Sequence, residues 1–257
     1  MGTARRKAFG RPLAAAAAAL IGIAVVAAVP AVASAHVASP GHVSAATYVP
    51  PKRTLKLGMK GADVKALQQR LAQLKYYPGA ADGAFGNGTL EAVWAFQEVQ
   101  HLAVDGVVGP KTGRALVRPR TYTARDPRQN PWRVEVNLTM RVLVLYKGDR
   151  IQLISHVSAG GGYTYPCPSG TCTAITPTGE FHALYYISGW HRSYLGLMYN
   201  PTYFNYSGDA IHGDTDVPVN PVSHGCVRIP MDIAAFFHRL VEINTDTSRD
   251  TQVWIYR

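Results

Sequence analysis

The residues of this chain best suited to covalent chemistry lie within 211–228, Ile-His-Gly-Asp-Thr-Asp-Val-Pro-Val-Asn-Pro-Val-Ser-His-Gly-Cys-Val-Arg. One thiol, Cys226, lies near two imidazoles, His212 and His224, and each histidine is followed by a glycine, Gly213 and Gly225. A thiol attacks as its thiolate, and a neighbouring imidazole is the usual means of generating one at neutral pH. The glycines are expected to let the backbone approach a substrate closely. Three readings of Cys226 are open. It is a buried structural cysteine, a metal ligand together with His224 and His212, or a nucleophile served by a histidine base. Its flanks, His224-Gly225 and Val227-Arg228, are unlike a core strand, and three closely spaced ligands without a fourth make a poor zinc set. The cysteine count adds to this. Of three cysteines, Cys167 and Cys172 flank the turn-rich Pro168-Ser169-Gly170-Thr171 and are expected to close a small disulfide loop, the alternative being two reduced neighbours. Cys226 is then odd, and an unpaired thiol in an oxidising compartment favours a chemical role.

That compartment is read from the N-terminus. Arg5, Arg6, Lys7 and Arg11 precede an apolar run from Leu13 to Val29, and Ala33-Ser34-Ala35 fits a small-x-small cleavage site, so residues 1–35 read as a secretory signal. The competing reading is an uncleaved membrane anchor, the only membrane contact expected. The Arg5-Arg6 pair fits a twin-arginine signal only loosely. The formal net charge of +10 includes those four leader residues. The remaining excess is moderate and scattered, which suits a polyanionic cell envelope and gives no basic helix or aromatic-basic motif for nucleic acid.

At 257 residues the chain permits two domains. Residues 36–53 read as an exposed linker. Residues 54–117 form a helical unit: Val64, Leu67, Leu71 and Leu74 recur at helical spacing, and Pro78-Gly79 ends the run. An internal echo follows. Asp82–Thr89 and Asp105–Thr112 share the pattern D-G-x-x-G-x-x-T, each an Asp-Gly turn leading into a helix, with Thr89 a candidate cap and Pro110 at a first helical position. Leu90, Val93 and Phe96 line one side of the second helix, and a short third one falls at 110–117. Residues 118–131 read as a second linker. From Trp132 the period shortens. Val134, Val136 and Leu138 alternate as on a half-buried strand, Val142–Tyr146 is a continuous apolar run, and Lys147-Gly148-Asp149 turns into Ile151–Ile154. Gly160–Gly162 is expected to close this hairpin region, His182–Ile187 to form a strand, Met231–Leu240 a late helix, and Gln252–Tyr256 a last strand. A mostly β domain over 132–257 results. The aromatic stretch Trp190–Tyr206, including Tyr199 and Tyr203, reads equally as a core patch or as a flap lining a groove.

Two resemblances sharpen this. Leu57-Gly58, Val64–Gln68, the two D-G-x-x-G turns, and Ala92-Val93 with Phe96-Gln97 resemble the peptidoglycan-binding domain 1 family, a three-helix wall-binding module. Ser223-His224-Gly225-Cys226-Val227-Arg228, preceded by Ile211-His212-Gly213, resembles the active-site signature of the L,D-transpeptidase (YkuD) catalytic domain, over roughly 132–257. The interval from His212 to Ser223 is shorter than in many members. The resemblance implies a β-sandwich or barrel-like fold with one or two helices behind a small all-α module. It implies Cys226 as nucleophile, His212 as general base and the Gly213 carbonyl as the group fixing the imidazole's tautomer. His224 and Gly225 would shape the pocket, with backbone N–H groups near Cys226 as the oxyanion hole. Ser223, Tyr199 and Tyr203 would contact substrate, and Arg228 would either hold a substrate carboxylate or brace the cysteine loop. The implied reaction is acyl transfer between peptidoglycan stem peptides, without metal or cofactor, on glycan to which the module tethers the enzyme. A carboxypeptidase or endopeptidase on the same site is the near rival, and a non-catalytic wall-binding protein the distant one. Papain-like peptidases place cysteine before histidine, the reverse of the order here.

Overall fold

The computed structural model describes residues 48–125, 132–243 and 250–257. The leader, residues 36–47 of the first linker and residues 126–131 of the second lie outside the described residues. Among the described residues no helix is long and apolar enough to cross a membrane.

Three helices, α1 (Ala62–Gln73), α2 (Asn87–Val99) and α3 (Pro110–Val117), form the N-terminal module. Their apolar faces bury Val64, Leu67, Leu71, Val93, Phe96 and Leu116. The echoed turns are built alike, and each is organised by a glutamine on the preceding helix. Gln68 Nε2 donates to Asp82 Oδ1 (2.9 Å), Ala84 O (3.0 Å) and Thr89 Oγ1 (3.1 Å), while its Oε1 accepts from Gly83 N–H (2.8 Å). Gln97 repeats the set with Asp105 (2.7 Å), Val107 O (3.1 Å), Thr112 (3.3 Å) and Gly106 N–H (2.9 Å). Gly83 and Gly106 take positive φ, 81° and 70°, which the Asp-Gly turn requires. Thr89 is therefore not a helix cap. It lies in the first turn of α2, buried, with Gly86 at the cap position, and serves the glutamine network.

Among the described residues, twelve strands and one further helix make up the remainder. The first five-stranded sheet has the order β3 (Arg150–His156), β2 (Val142–Lys147), β1 (Trp132–Asn137), β12 (Gln252–Tyr256), β6 (Gly179–His182). In the second, β11 (Val227–Pro230), β10 (Ala210–Asp214), β9 (Gly196–Tyr203) and β7 (Tyr185–Tyr186) lie side by side, with β8 (Trp190–Ser193) also on β9. A separate hairpin pairs β4 (Thr164–Cys167) with β5 (Gly170–Thr173). One core fills the space between the sheets. Val134, Val136, Leu143 and Leu145 of the first meet Ile211, Val227 and Ile229 of the second, together with Ile233 and Phe237 of α4 (Met231–Phe237).

The apolar run Val142–Tyr146 has a physical reason. Leu143 and Leu145 enter the inter-sheet core, whereas Val142, Val144 and Tyr146 on the other face join the helical module's core with Ile154. A strand buried on both faces shows no alternation. The module is thus packed onto the first sheet. Ile154 N–H donates to Lys75 O at 2.8 Å, Arg141 pairs with Glu98, and Trp94 meets His156 edge-on at 5.4 Å.

Several expectations change. The outer face of β1 is buried too: Arg133 and Glu135 pair at 3.2 Å beneath residues of the second linker, where Arg125 N–H donates to Glu135 at 2.9 Å and Tyr122 OH meets Tyr256 OH at 2.6 Å. Gly160–Gly162 closes no hairpin. Gly160 and Gly161 lie against Ser223, with Gly161 N–H donating to its carbonyl at 3.0 Å. The strand expected over His182–Ile187 is broken at Ala183-Leu184, where the chain leaves the first sheet for the second. The late helix ends at Phe237.

Candidate active site

The parallel neighbours β10 and β11 set His212 opposite Arg228, and Cys226 immediately precedes β11. Parallel strands need a crossover, and here it is the stretch 215–226. His212 sits at an irregularity. Between the pairs Ile211↔Thr202 and Gly213↔Tyr199 the register slips, so that Asn200 and Pro201 together oppose His212. Asn200 adopts φ 48° and holds the bulge with both ends of its amide: Oδ1 accepts from Gly189 N–H (2.7 Å) and Tyr186 OH (3.0 Å), and Nδ2 donates to Ala234 O (3.1 Å). Bulges re-aim side chains. The sequence signal for this was the Asn200-Pro201 dipeptide, which cannot continue a regular ladder.

His212 is buried, at 4 % exposure, with its Nδ1 2.9 Å from the carbonyl oxygen of Gly213. A carbonyl only accepts, so Nδ1 carries the proton and Nε2 presents a lone pair. Burial, ahead of the opposing hydrogen bond and the Asp214 charge, holds this imidazole below its ordinary pKa. Cys226 is half-buried against Met198, Tyr203 and Ala210, and burial pushes its thiol up to about 11. Its sulfur lies 3.9 Å from the carbonyl of Gly208. Both shifts favour the neutral thiol and neutral imidazole over a thiolate–imidazolium pair. A thiol so placed would lose its proton to a base in the course of an attack rather than beforehand.

Hydroxyl groups hold the cysteine loop. Ser223 Oγ donates to Cys226 O at 2.5 Å and accepts from Gly225 N–H at 3.2 Å. Thr176, buried, donates to Gly225 O at 2.7 Å and accepts from Gly160 N–H at 2.8 Å. Ser223, expected to bind substrate, thus shapes the turn, and it engages the N–H of Gly225 beside Cys226. Nothing local to Thr176 announces this bracing role, which depends on a contact 49 residues away in sequence.

A cavity of about 660 Å³ gathers Cys226, His212, His224, Gly225, Ser223, Arg228 and Tyr203. Its far wall is Ser193–Met198 of the β8–β9 hairpin, so this stretch forms the flap, while Cys172 and Tyr165 bring in the β4–β5 hairpin. Cys167 and Cys172 are joined in a disulfide that closes this hairpin. His224 stands edge-on to Tyr165 (4.6 Å) and Tyr163 (5.4 Å). Tyr203 stacks on Tyr185 at 4.4 Å.

Two expected site residues lie outside the cavity lining. Tyr199 packs behind it, against Trp190 at 5.3 Å and the inter-sheet core. Gly213 spares room for protein rather than for substrate: a Cβ there would meet Ala234 Cβ at 2.6 Å. The same holds at Gly225, where a Cβ would meet Asp209 Oδ1 at 2.6 Å. Arg228 is already engaged, by Asp214 at 3.2 Å and by the Asp216 carbonyl at 3.1 Å, which makes it a brace between the cysteine strand and the short connector after His212. Among the described residues no group of three His, Cys, Asp or Glu side chains is placed to hold a metal ion.

The family model of the L,D-transpeptidase catalytic domain (YkuD) matches residues 131–255, and that of a putative peptidoglycan binding domain matches residues 60–116. The L,D-transpeptidase from Xylanimonas cellulosilytica, in its crystal structure, is 36 % identical and superimposes with a TM-score of 0.71, the match covering 80 % of this chain and 99 % of that one. A spore cortex-lytic enzyme of Bacillus cereus is 43 % identical over 70 residues, 27 % of this chain and 27 % of its own length. An N-acetylmuramoyl-L-alanine amidase, CwlM, of Mycobacterium tuberculosis is 46 % identical over 56 residues, 22 % of this chain and 14 % of its own. The chain thus spans about a quarter or less of the length of these two curated relatives. On the catalytic-domain match and the Xylanimonas structure, the chain belongs to the L,D-transpeptidase (YkuD) family of cell-wall enzymes, with a peptidoglycan-binding domain ahead of the catalytic one.

Proposed function

We propose that this protein is an exported L,D-transpeptidase that forms peptidoglycan cross-links through an acyl-enzyme on Cys226. The observation that carries this reading is the half-free imidazole: His212 is fixed by Gly213 O through Nδ1 and keeps Nε2 for proton transfer in the cavity that also holds Cys226. In the first half-reaction Cys226 Sγ attacks the carbonyl of the L-centre residue of a stem tetrapeptide while His212 Nε2 takes the thiol proton. The proton then goes to the departing amine of the terminal D-alanine as the C–N bond breaks, which leaves a thioester. In the second half-reaction the side-chain amine of another stem's diamino acid attacks the thioester and makes a 3→3 cross-link.

Residues 1–35 act as the export signal, and the described helical module, over 54–117, holds the enzyme on glycan. Its packing onto the first sheet fixes the distance between tether and active site, which raises the effective concentration of stems within reach. Mass analysis of the products from a purified tetrapeptide muropeptide tests the reaction. A cross-linked dimer lacking one D-alanine is expected, and tripeptide with no dimer contradicts transfer in favour of hydrolysis.

A further inference from the structure

Asp209 lies on the turn between β9 and β10, and only half of its carboxylate is tied down. Oδ2 accepts from Asn205 Nδ2 at 2.8 Å, and the Asp209 N–H donates to Asn205 Oδ1 at 3.0 Å. Oδ1 rests over Gly225, where a side chain of any size would displace it, and among the described residues no donor reaches it. The residue lines the same cavity as Cys226, His212 and His224. A carboxylate in that position is unfavourable for the nucleophile, since its charge adds to burial in pushing the Cys226 thiol up. Burial also raises the carboxyl's own pKa, ahead of the opposing Asn205 hydrogen bond. The cavity lining offers one guanidinium, Arg228, and that is held by Asp214 and Asp216. A half-desolvated acid beside a sulfur nucleophile gains a partner only when a cation arrives from outside.

Resting on the acyl-transfer reading above, we propose that Asp209 Oδ1 receives the cationic side-chain amine of the acyl acceptor and so selects a diamino-acid stem over water. The two half-reactions make opposite demands on this residue. Before acylation its charge opposes the developing thiolate. Once the thioester has formed the sulfur is uncharged, that opposition ends, and the carboxylate ionises against an incoming ammonium. The amine nitrogen loses two protons on becoming an amide. One passes to water before attack. The other passes to His212 Nε2 and returns to Cys226 Sγ as the C–S bond breaks, which regenerates the thiol. Asp209 holds and orients, and no proton needs to stay on it.

The test is Asp209→Asn, which keeps the Asn205 contact and removes the charge. Wild type and variant are given a tetrapeptide donor with increasing acceptor stem. Cys226 acylation is followed by intact mass, and dimer against tripeptide by chromatography. The expected result is acylation at least as fast as wild type and a KM for acceptor raised about tenfold or more. Tripeptide takes a larger share of the product at each acceptor concentration. An unchanged dimer-to-tripeptide ratio at every acceptor concentration overturns the proposal. If the variant does not fold, the wild type is challenged instead with acceptors whose side-chain amine is trimethylated or acetylated. Inhibition of transfer by the trimethylated stem alone supports the proposal, and equal inhibition by both overturns it. Wild type that acylates but yields no dimer overturns the transfer reading itself, a separate outcome.

Discussion

Gln97 in the helical module and His212 in the catalytic domain are both buried polar side chains, and they use their hydrogen-bonding capacity differently. Gln97 engages both ends of its amide: three acceptors for Nε2 and a glycine N–H for Oε1, a pattern that Gln68 repeats on the preceding helix. His212 engages one nitrogen on a neighbouring carbonyl and leaves the other to the cavity. A buried group with every valence satisfied holds a turn in place. A buried group with one valence open holds a position for something that arrives later. Asn200 belongs to the first kind and Asp209 to the second.

Mutation should separate the two kinds. The largest effect is expected at His212→Ala, which removes the proton acceptor and should slow Cys226 acylation by about 10³-fold or more while the melting temperature stays near wild type. Acylation time courses and calorimetry together read this, and a comparable loss of stability would place His212 with Gln97 instead. Gln97→Ala should do the reverse. It leaves Asp105, Thr112 and the Gly106 N–H without their partner, at a cost of about 2–3 kcal/mol in stability measured by denaturant titration, with acylation per folded molecule unchanged.

Thr176→Val lies between the two. Two backbone groups lose their hydroxyl partner, and both stability and acylation should fall, the latter by about tenfold, because the cysteine loop loses its brace. Glu91 sharpens the comparison from the structural side. It sits on α2 near Asp232 of α4, and burial, then that like charge, raises its carboxyl to about 8. The folded state therefore favours the protonated acid, a contribution present below the ordinary glutamate pKa and lost as pH rises through about 8. Wild-type melting temperature should fall as pH rises from about 4.5 to about 8 and level off above that, and Glu91→Gln should flatten the fall. The smallest effect is kinetic. Because His212 is held below the ordinary histidine value of 6.5, its base form persists further into acid, so the acid limb of the acylation rate should have its midpoint below 6.5. A midpoint above that value would mean an imidazole stabilised as a cation.

Much of this was legible in the residues themselves. The helical period placed the module, the D-G-x-x-G-x-x-T echo found both turns, and the S-H-G-C context with the upstream His-Gly pointed to the thiol and imidazole that line one cavity. What stayed hidden depends on tertiary contacts between distant segments. Gln68 and Gln97 enter the sequence reading only as members of the module's motif, because the contacts that give them their role form when the turns fold back on them. The alternation of β1 gave no sign that Arg133 and Glu135 would be buried as well, because the cover comes from the linker after α3. Tyr199 and Tyr203 are four residues apart on one strand, and the bulge at Asn200-Pro201 between them leaves one behind the cavity and the other in its wall. Gly213 and Gly225 read as glycines that let the backbone approach a substrate, but it is protein atoms, of Ala234 and Asp209, that occupy the space they spare. Arg228 needed the Asp214 contact before its role as a brace could be chosen.

The central claim is that Cys226 carries the acyl group, and peptide-mapped mass spectrometry of the protein trapped with a stem tetrapeptide tests it most directly. An adduct equal in mass to the donor less D-alanine is expected, confined to the peptide containing Cys226 and absent from Cys226→Ala. An adduct of equal yield on Cys226→Ala, or one mapped to another residue, would contradict it.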